Sequence, residues 1–290
     1  MKTISYNAAE LTQPERFKYL LGSIGPRPIC FASTIDKEGR VNLSPYSFFN
    51  AFSSSPPILV FSAARNRNGE QKHTYHNVKE VPEVVINVVN YPIIEQQSLA
   101  STAYDKGVNE FIKSGLTQVA SESVSPPRVG ESPAAFECKV LEVKDLGLTA
   151  GAGSLIICEV RVIHLQAQYL DENGFPDATK LDLVGRLGGN WYSRASGEAL
   201  IEIRKPIRVK GVGIDQLPHY IRESTALTGN ELAQLGGLEK LPTSQEVEEL
   251  ISQLDIDLRQ DQETAERKAK ELIKNNKREL ALAILMANKL

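Results

Sequence analysis

The chain has 290 residues, with 33 basic and 36 acidic side chains and a formal net charge of −3. That balance offers no general field for nucleic acid, whose binding domains carry a basic excess, so any positive site must be local. With 41% apolar and 24% charged residues, a sizeable core can form without disulfide staples, over one large domain or two ordinary ones.

Cys30, Cys138 and Cys158 form no Cys-x-x-Cys pair and stand in strand-like apolar runs. An odd count in a long chain reads as buried free thiols in a reducing compartment. Met1-Lys2-Thr3 is followed by polar residues rather than the apolar run of a signal peptide, and no segment has the length and apolarity of a membrane span. The expectation is a cytoplasmic protein, with neither membrane nor nucleic acid as partner. The four histidines do not cluster with carboxylates at ligand spacing, so no metal site is expected.

In chain order, an N-terminal arm leads into a short helical piece beginning at Pro14 and stopped by Gly25-Pro26. Arg27 stands between two prolines ahead of a strand over 29–35, and Asp36-Lys37-Glu38-Gly39 reads as a hairpin turn into Val41. Phe48, Phe49 and Phe52 suit core, interface or stacking on a ring, core or interface first. Ile58–Phe61 is a buried-strand run, and Val84–Val89 is expected to pair with it.

Between those runs lie Ser62-Ala63-Ala64-Arg65, a polar loop with Asn-Arg-Asn-Gly, and Lys72-His73-Thr74 opening a short helix. A solvated turn is the plain reading of such a loop. The functional reading is an anion site. Arg supplies a planar fork, Lys a compact charge and Ser or Thr a neutral donor, and a helix opening at Thr74 adds backbone amides.

Residues 93–118 read as mostly helical and 121–133 as a Pro-rich loop. The runs 136–143 and 154–168 alternate with period two and form an antiparallel hairpin around 147–153. In it Glu137 and Lys139 are expected to face solvent or a partner subunit, and His164 is either a satisfied strand histidine or a pocket contact. Asp171–Gly174 is a tight turn. The paired glycines of Arg186-Leu187-Gly188-Gly189 permit close backbone approach, either as a simple turn or as a loop against a ligand. Past residue 200 helical spacing takes over: Ile221, Leu227, Leu232 and Leu235; a capping box at Thr243 and Glu246; Val247, Leu250, Ile251 and Leu254; then one long helix over 263–290.

Over roughly 19–194 the chain resembles the flavin reductase-like, FMN-binding split-barrel family. The resemblance is carried by Pro26-Arg27-Pro28, Asn42-Leu43-Ser44-Pro45-Tyr46-Ser47, Ser62-x-x-Arg65, Lys72-x-Thr74-x-x-Asn77, and Arg186-Leu187-Gly188-Gly189 with Tyr192. It implies a mainly β fold, a split antiparallel β-barrel with a Greek-key path over 1–200, with a helical C-terminal extension over 201–290. It also implies a homodimer with FMN near its interface. Ser62, Arg65, Lys72 and Thr74 would then hold the FMN phosphate. Ser44, Pro45, Tyr46, Ser47 and Ala63 would line the ring, with Arg27 beside the flavin. His73, between Lys72 and Thr74 and also placed at the cofactor, departs from the pattern, standing where many members carry Asp.

The implied activity is NAD(P)H-dependent flavin oxidoreduction, with hydride passing from NADH or NADPH to flavin N5. The alternatives are a flavoredoxin-type electron carrier that does not oxidise NAD(P)H, and an FMN-dependent oxygenase or pyridoxamine-phosphate oxidase-like activity. No general acid–base constellation is required, and no separate catalytic residue is assigned.

Overall fold

The computed structural model describes residues 2–203, 210–252 and 262–287, which form two compact units, Met1–Ile201 and Glu202–Leu290. The first opens with helix α1 (Gln13–Ser23), whose N-cap Thr12 and Glu15 form a capping box. Strands β1 (Arg27–Pro28), β2 (Cys30–Ile35), β3 (Val41–Tyr46), β4 (Phe49–Ser54) and β5 (Pro57–Ala64) follow. Then come α2 (His73–Glu80), β6 (Glu83–Val88), α3 (Ile94–Ala100), α4 (Glu110–Ser114), β7 (Gln118–Val119) and β8 (Arg128–Val129). The unit closes with β9 (Ala134–Asp145), β10 (Gly153–Leu165), α5 (Ala178–Leu181), β11 (Leu183–Arg186) and β12 (Tyr192–Ala195).

Seven strands form one antiparallel sheet in the order β3-β2-β6-β9-β10-β5-β4. The two outermost strands, β3 and β4, are consecutive in the chain and separated only by Ser47 and Phe48. Three residue steps reach at most about 11 Å, whereas six strand spacings in a flat sheet span about 29 Å. The sheet must therefore curl until its ends meet. They do meet: β3 touches β5, and the Ser62 amide donates to the Phe48 carbonyl at 2.8 Å. Because β3 and β4 do not pair with each other, the barrel is split. A second sheet, β1-β11-β12, flanks it.

The barrel interior is filled by Phe61, Val84, Ile86, Ile156 and their neighbours. Each large aliphatic or aromatic side chain so placed contributes about 1.5–3 kcal/mol of transfer free energy. All three cysteines lie in this core as free thiols, and burial pushes each thiol up from its usual value.

In this first unit three expectations are not met. Strand β6 pairs with β2 and β9, not with β5, which lies between β10 and β4; strand periodicity carries no information on neighbours. Glu137 does not face solvent: it is fully buried, while Lys139 is exposed. The Glu137 carboxylate accepts from the amides of Glu122 (2.7 Å) and Ser123 (2.6 Å), from the Ser123 hydroxyl (2.7 Å), and lies 2.7 Å from His164 Nε2. His164 is thus a satisfied strand histidine. Of residues 93–118 only the short α3 and α4 are α-helical, with irregular chain between them.

The second unit holds α6 (His219–Arg222), α7 (Gly229–Gly236), α8 (Ser244–Ser252), α9 (Gln262–Lys274) and α10 (Arg278–Ala287) around its own core, with Leu217, Ile221, Leu235 and Leu282 among the most buried. The capping box at Thr243 and Glu246 is formed, with the Thr243 amide 2.8 Å from Glu246 Oε2 and the Glu246 amide 3.3 Å from Thr243 Oγ1. The expected long helix is two helices, α9 and α10, broken where Asn276 adopts φ 60°. Leu254, the 205–209 stretch and residues 288–290 lie outside the described residues.

Candidate functional site

The residues expected at an anion site lie at the end of β5 (Ser62), in the loop that follows it (Arg65) and at the start of α2 (Lys72, His73 and Thr74). Ser62 is nearly buried on β5, and a Cβ at Gly153 on the neighbouring strand would stand 2.5 Å from its Oγ, so the glycine leaves the hydroxyl its room. The 66–70 loop is fixed from within. The Asn66 side-chain oxygen accepts from the amides of Asn68 and Glu70, both at 2.9 Å. Arg65 Nη1 donates to the Gly69 carbonyl at 2.9 Å, while its Nε is buried without a partner.

Lys72 is the N-cap of α2. It is exposed, it makes no side-chain cap bond, and the first turn of α2 holds no acidic residue. An uncapped N-terminus presents amide dipoles to an anion.

A second layer holds this loop. Asp145 accepts from Ser154 Oγ (2.5 Å), Tyr75 Oη (3.1 Å) and Gln71 Nε2 (3.2 Å). The Ser154 bond is the largest influence holding the Asp145 carboxyl below its usual range, with Arg65 and Lys79 adding attraction.

Thr74 is a different case. It is fully buried, and its hydroxyl accepts from Asn42 Nδ2 at 3.0 Å. Asn77 Nδ2 reaches Thr34 at 3.1 Å, so these four polar residues tie α2 to β2 and β3. Thr74 thus helps to place the helix end. His73 turns to a small cleft shared with Asp36, Arg40 and Lys106. Burial, followed by the neighbouring His76, Lys106 and Lys72, lowers its pKa.

The residues expected at a ring divide by burial. Ser44, Pro45 and Ser47 are half-buried and reachable. Tyr46 and Ala63 belong to the barrel core, Tyr46 packing on Phe61 with ring centroids 4.9 Å apart. Burial pushes the Tyr46 phenol up to about 12. Sequence reasoning missed Glu110, a buried carboxyl on α4 that accepts from the Leu43 amide at 2.8 Å and so pins β3 within the Asn42–Ser47 segment. Burial raises its pKa. A polar residue at a helix start gave no signal of that contact.

Arg27 is also buried, and its fork serves the fold. Nη1 donates to the carbonyls of Leu21 (2.9 Å) and Ile24, and Nη2 to that of Leu187 (3.1 Å). The close approach at Gly188 is to the α1 backbone, where an added Cβ would lie 2.9 Å from Gly22 Cα. Among the described residues there is no group of His, Cys, Asp and Glu arranged to hold a metal ion, and no helix is long and apolar enough to cross a membrane.

Comparison with known proteins agrees with this architecture. A protein of Aquifex aeolicus, itself uncharacterized, is 35% identical over 190 residues, 64% of this chain and 93% of the relative. Nitrilotriacetate monooxygenase component B from Bacillus cereus superposes with a TM-score of 0.65 at 29% identity, over 71% of this chain and 99% of its own. The 2-nitrobenzoate 2-nitroreductase NbaA of Pseudomonas fluorescens does so with a TM-score of 0.62 at 26% identity, over 72% of this chain and all of its own. The model of the flavin reductase like domain matches residues 22–178, more than half of the chain, and this protein is a member of that family.

Proposed function

We propose that the chain binds FMN and is an NAD(P)H-dependent flavin oxidoreductase, active as a homodimer in the cytoplasm. The observation that carries the cofactor assignment is the cradle at the end of β5. There Ser62 lies at the end of β5 and Arg65, with a buried Nε that has no partner, just past it, and Lys72, which among the described residues pairs with no carboxylate, opens the uncapped helix α2. Such donors suit a terminal phosphate monoester.

When bound, the flavin would supply the redox chemistry, taking hydride at N5 from NADH or NADPH. The chain's part is binding and orientation. Ser62, Arg65 and Lys72 hold the phosphate, Asp145 and Gln71 brace their loop, and Ser44, Pro45 and Ser47 offer a wall for the ring. Glu110 and the Asn42–Thr74 pair keep that wall in place.

The test is the visible spectrum of the purified protein with FMN, then addition of NADH or NADPH. Flavin bands that bleach on addition support the reductase. Flavin bands that persist assign the chain to the flavoredoxin-type electron carriers. Failure to bind FMN overturns the cofactor reading.

A further inference from the structure

A second site lies on the flanking sheet. Arg27 on β1, Arg186 on β11 and Tyr192 on β12 are in register across the three strands, Arg27 opposite Arg186 and Arg186 opposite Tyr192. Residues opposite one another in antiparallel strands share a face, and Arg194, two residues beyond Tyr192, shares it too. Against this face stands the α3 stripe of Ile94, Ser98 and, just past the helix, Ser101, with Glu95 at the rim. The space enclosed is a cleft of about 490 Å³.

Three observations give the cleft a chemistry. Both arginines on its wall lie over aromatic rings: the Arg186 guanidinium carbon is 4.4 Å from the Tyr192 centroid and that of Arg194 3.7 Å from the Tyr91 centroid. Such pairs present planar surfaces to a further planar group. The charges are unequal in their compensation. Arg194 is held by Asp182 through two bonds of 2.7 and 2.8 Å, whereas among the described residues neither Arg27 nor Arg186 pairs with a carboxylate. Arg27 is only 7% exposed, and its Nε has no partner. Of the two arginines that line the cleft, Arg186 alone is therefore left, among the described residues, without a carboxylate; Arg27 adjoins it across β1 and β11 but does not line the cleft, its Nη atoms being held by backbone carbonyls. Lastly, Ser98, Asn190 and the exposed Glu95 offer the neutral and anionic partners that ribose hydroxyls need.

We infer that this cleft binds the adenylate half of a dinucleotide: the base between Tyr91 and Tyr192, the ribose at Glu95 and Ser98, and the phosphate at Arg186. The site rests on the NAD(P)H-oxidising reading, for which it names the part of the reductant remote from the nicotinamide. It is separate from the FMN cradle.

Trp191, the only tryptophan and 76% exposed, does not line the cleft but stands in sequence between Asn190 and Tyr192, which do, and serves as the fluorophore. The experiment titrates ADP-ribose, which has no nicotinamide and so donates no hydride, into the full chain and follows Trp191 fluorescence and calorimetric heat. Saturable binding is expected, at least about tenfold weaker for adenosine, which lacks phosphate, and for Arg186→Ala. Arg186→Lys should recover part of the loss. Glu95→Ala, at an exposed helix position, should weaken ADP-ribose without altering folding. FMN titration of the same variants should be unchanged. Absence of ADP-ribose binding, or binding that Arg186→Ala and Glu95→Ala both leave untouched, overturns the inference. If FMN binds and NAD(P)H is oxidised in that case, the cofactor reading stands and only the adenylate site falls. If FMN does not bind but ADP-ribose does, the reverse holds.

Discussion

Replacing both Arg65 and Lys72 with Ala tests the phosphate cradle most directly. Arg65 is half-buried, and a charge-assisted hydrogen bond from such a group to a phosphate is worth about 1.5–3 kcal/mol. Lys72 is exposed and screened, so its share is about 0.5–1 kcal/mol. Together about 3 kcal/mol is lost, which raises the FMN Kd by about two orders of magnitude. The assay is quenching of flavin fluorescence, run in parallel with FMN and with riboflavin, which has the same ring but no phosphate. Wild type should prefer FMN strongly, and the double variant should bind the two alike, with riboflavin affinity unchanged. An FMN preference that survives the double substitution, or an equal loss for both ligands, would refute the placement of the phosphate at this loop.

The remaining predictions concern neighbouring features. Thr74→Val removes the acceptor of Asn42 and should cost about 1–3 kcal/mol of stability in denaturant unfolding, with a smaller effect on FMN than Arg65→Ala; the opposite order would restore Thr74 as a direct ligand. Gly153→Ala sets a methyl against Ser62 Oγ and should weaken FMN more than it lowers the Tm, as fluorescence titration and thermal melting would show. Burial alone would raise the Glu137 pKa, but the amides of Glu122 and Ser123, the Ser123 hydroxyl and His164 outweigh it and hold the carboxyl at about 2, against an ordinary 4.5. Because the folded value is the lower one, this stability is present above about pH 4.5 and drains away as the pH falls towards 2, and amounts to about 3 kcal/mol. Glu137→Gln should be less stable at neutral pH and should flatten the acid limb of the denaturation curve; an unchanged limb would show that Glu137 is not its source.

The legibility of this chain varied with the range of the interactions involved. Local signals read well: the Asp36–Gly39 turn, the 134–165 hairpin and the Thr243–Glu246 cap each depend on residues close in sequence. Glu137 was misread because its partners at 122 and 123 lie beyond an irregular Pro-rich loop, so period two alone suggested an outward carboxylate. The break between α9 and α10 carries no Gly or Pro, only an asparagine in a left-handed conformation. At the site, the donor types around Ser62–Lys72 pointed to an anion without any structure. Residue type does not say how exposed each donor is, so the burial of Thr74, Tyr46 and Ala63 is not legible in the sequence. Glu110 was invisible for the same reason as Glu137, since its partner is a backbone amide 67 positions away.

The way α1 is attached has a consequence for local stability. None of its residues is buried, so little apolar area holds it down. Its tether is polar, the Arg27 bonds to the carbonyls of Leu21 and Ile24. A helix held in that manner belongs to the segments that open well below the global unfolding free energy. Its amides should exchange with deuterium ahead of those of β2 and β6, as mass spectrometry of peptic fragments would show. Each opening also strips the Arg27 guanidinium of those two carbonyl acceptors, so that the opening of α1 sets how often a buried cation becomes available to something else.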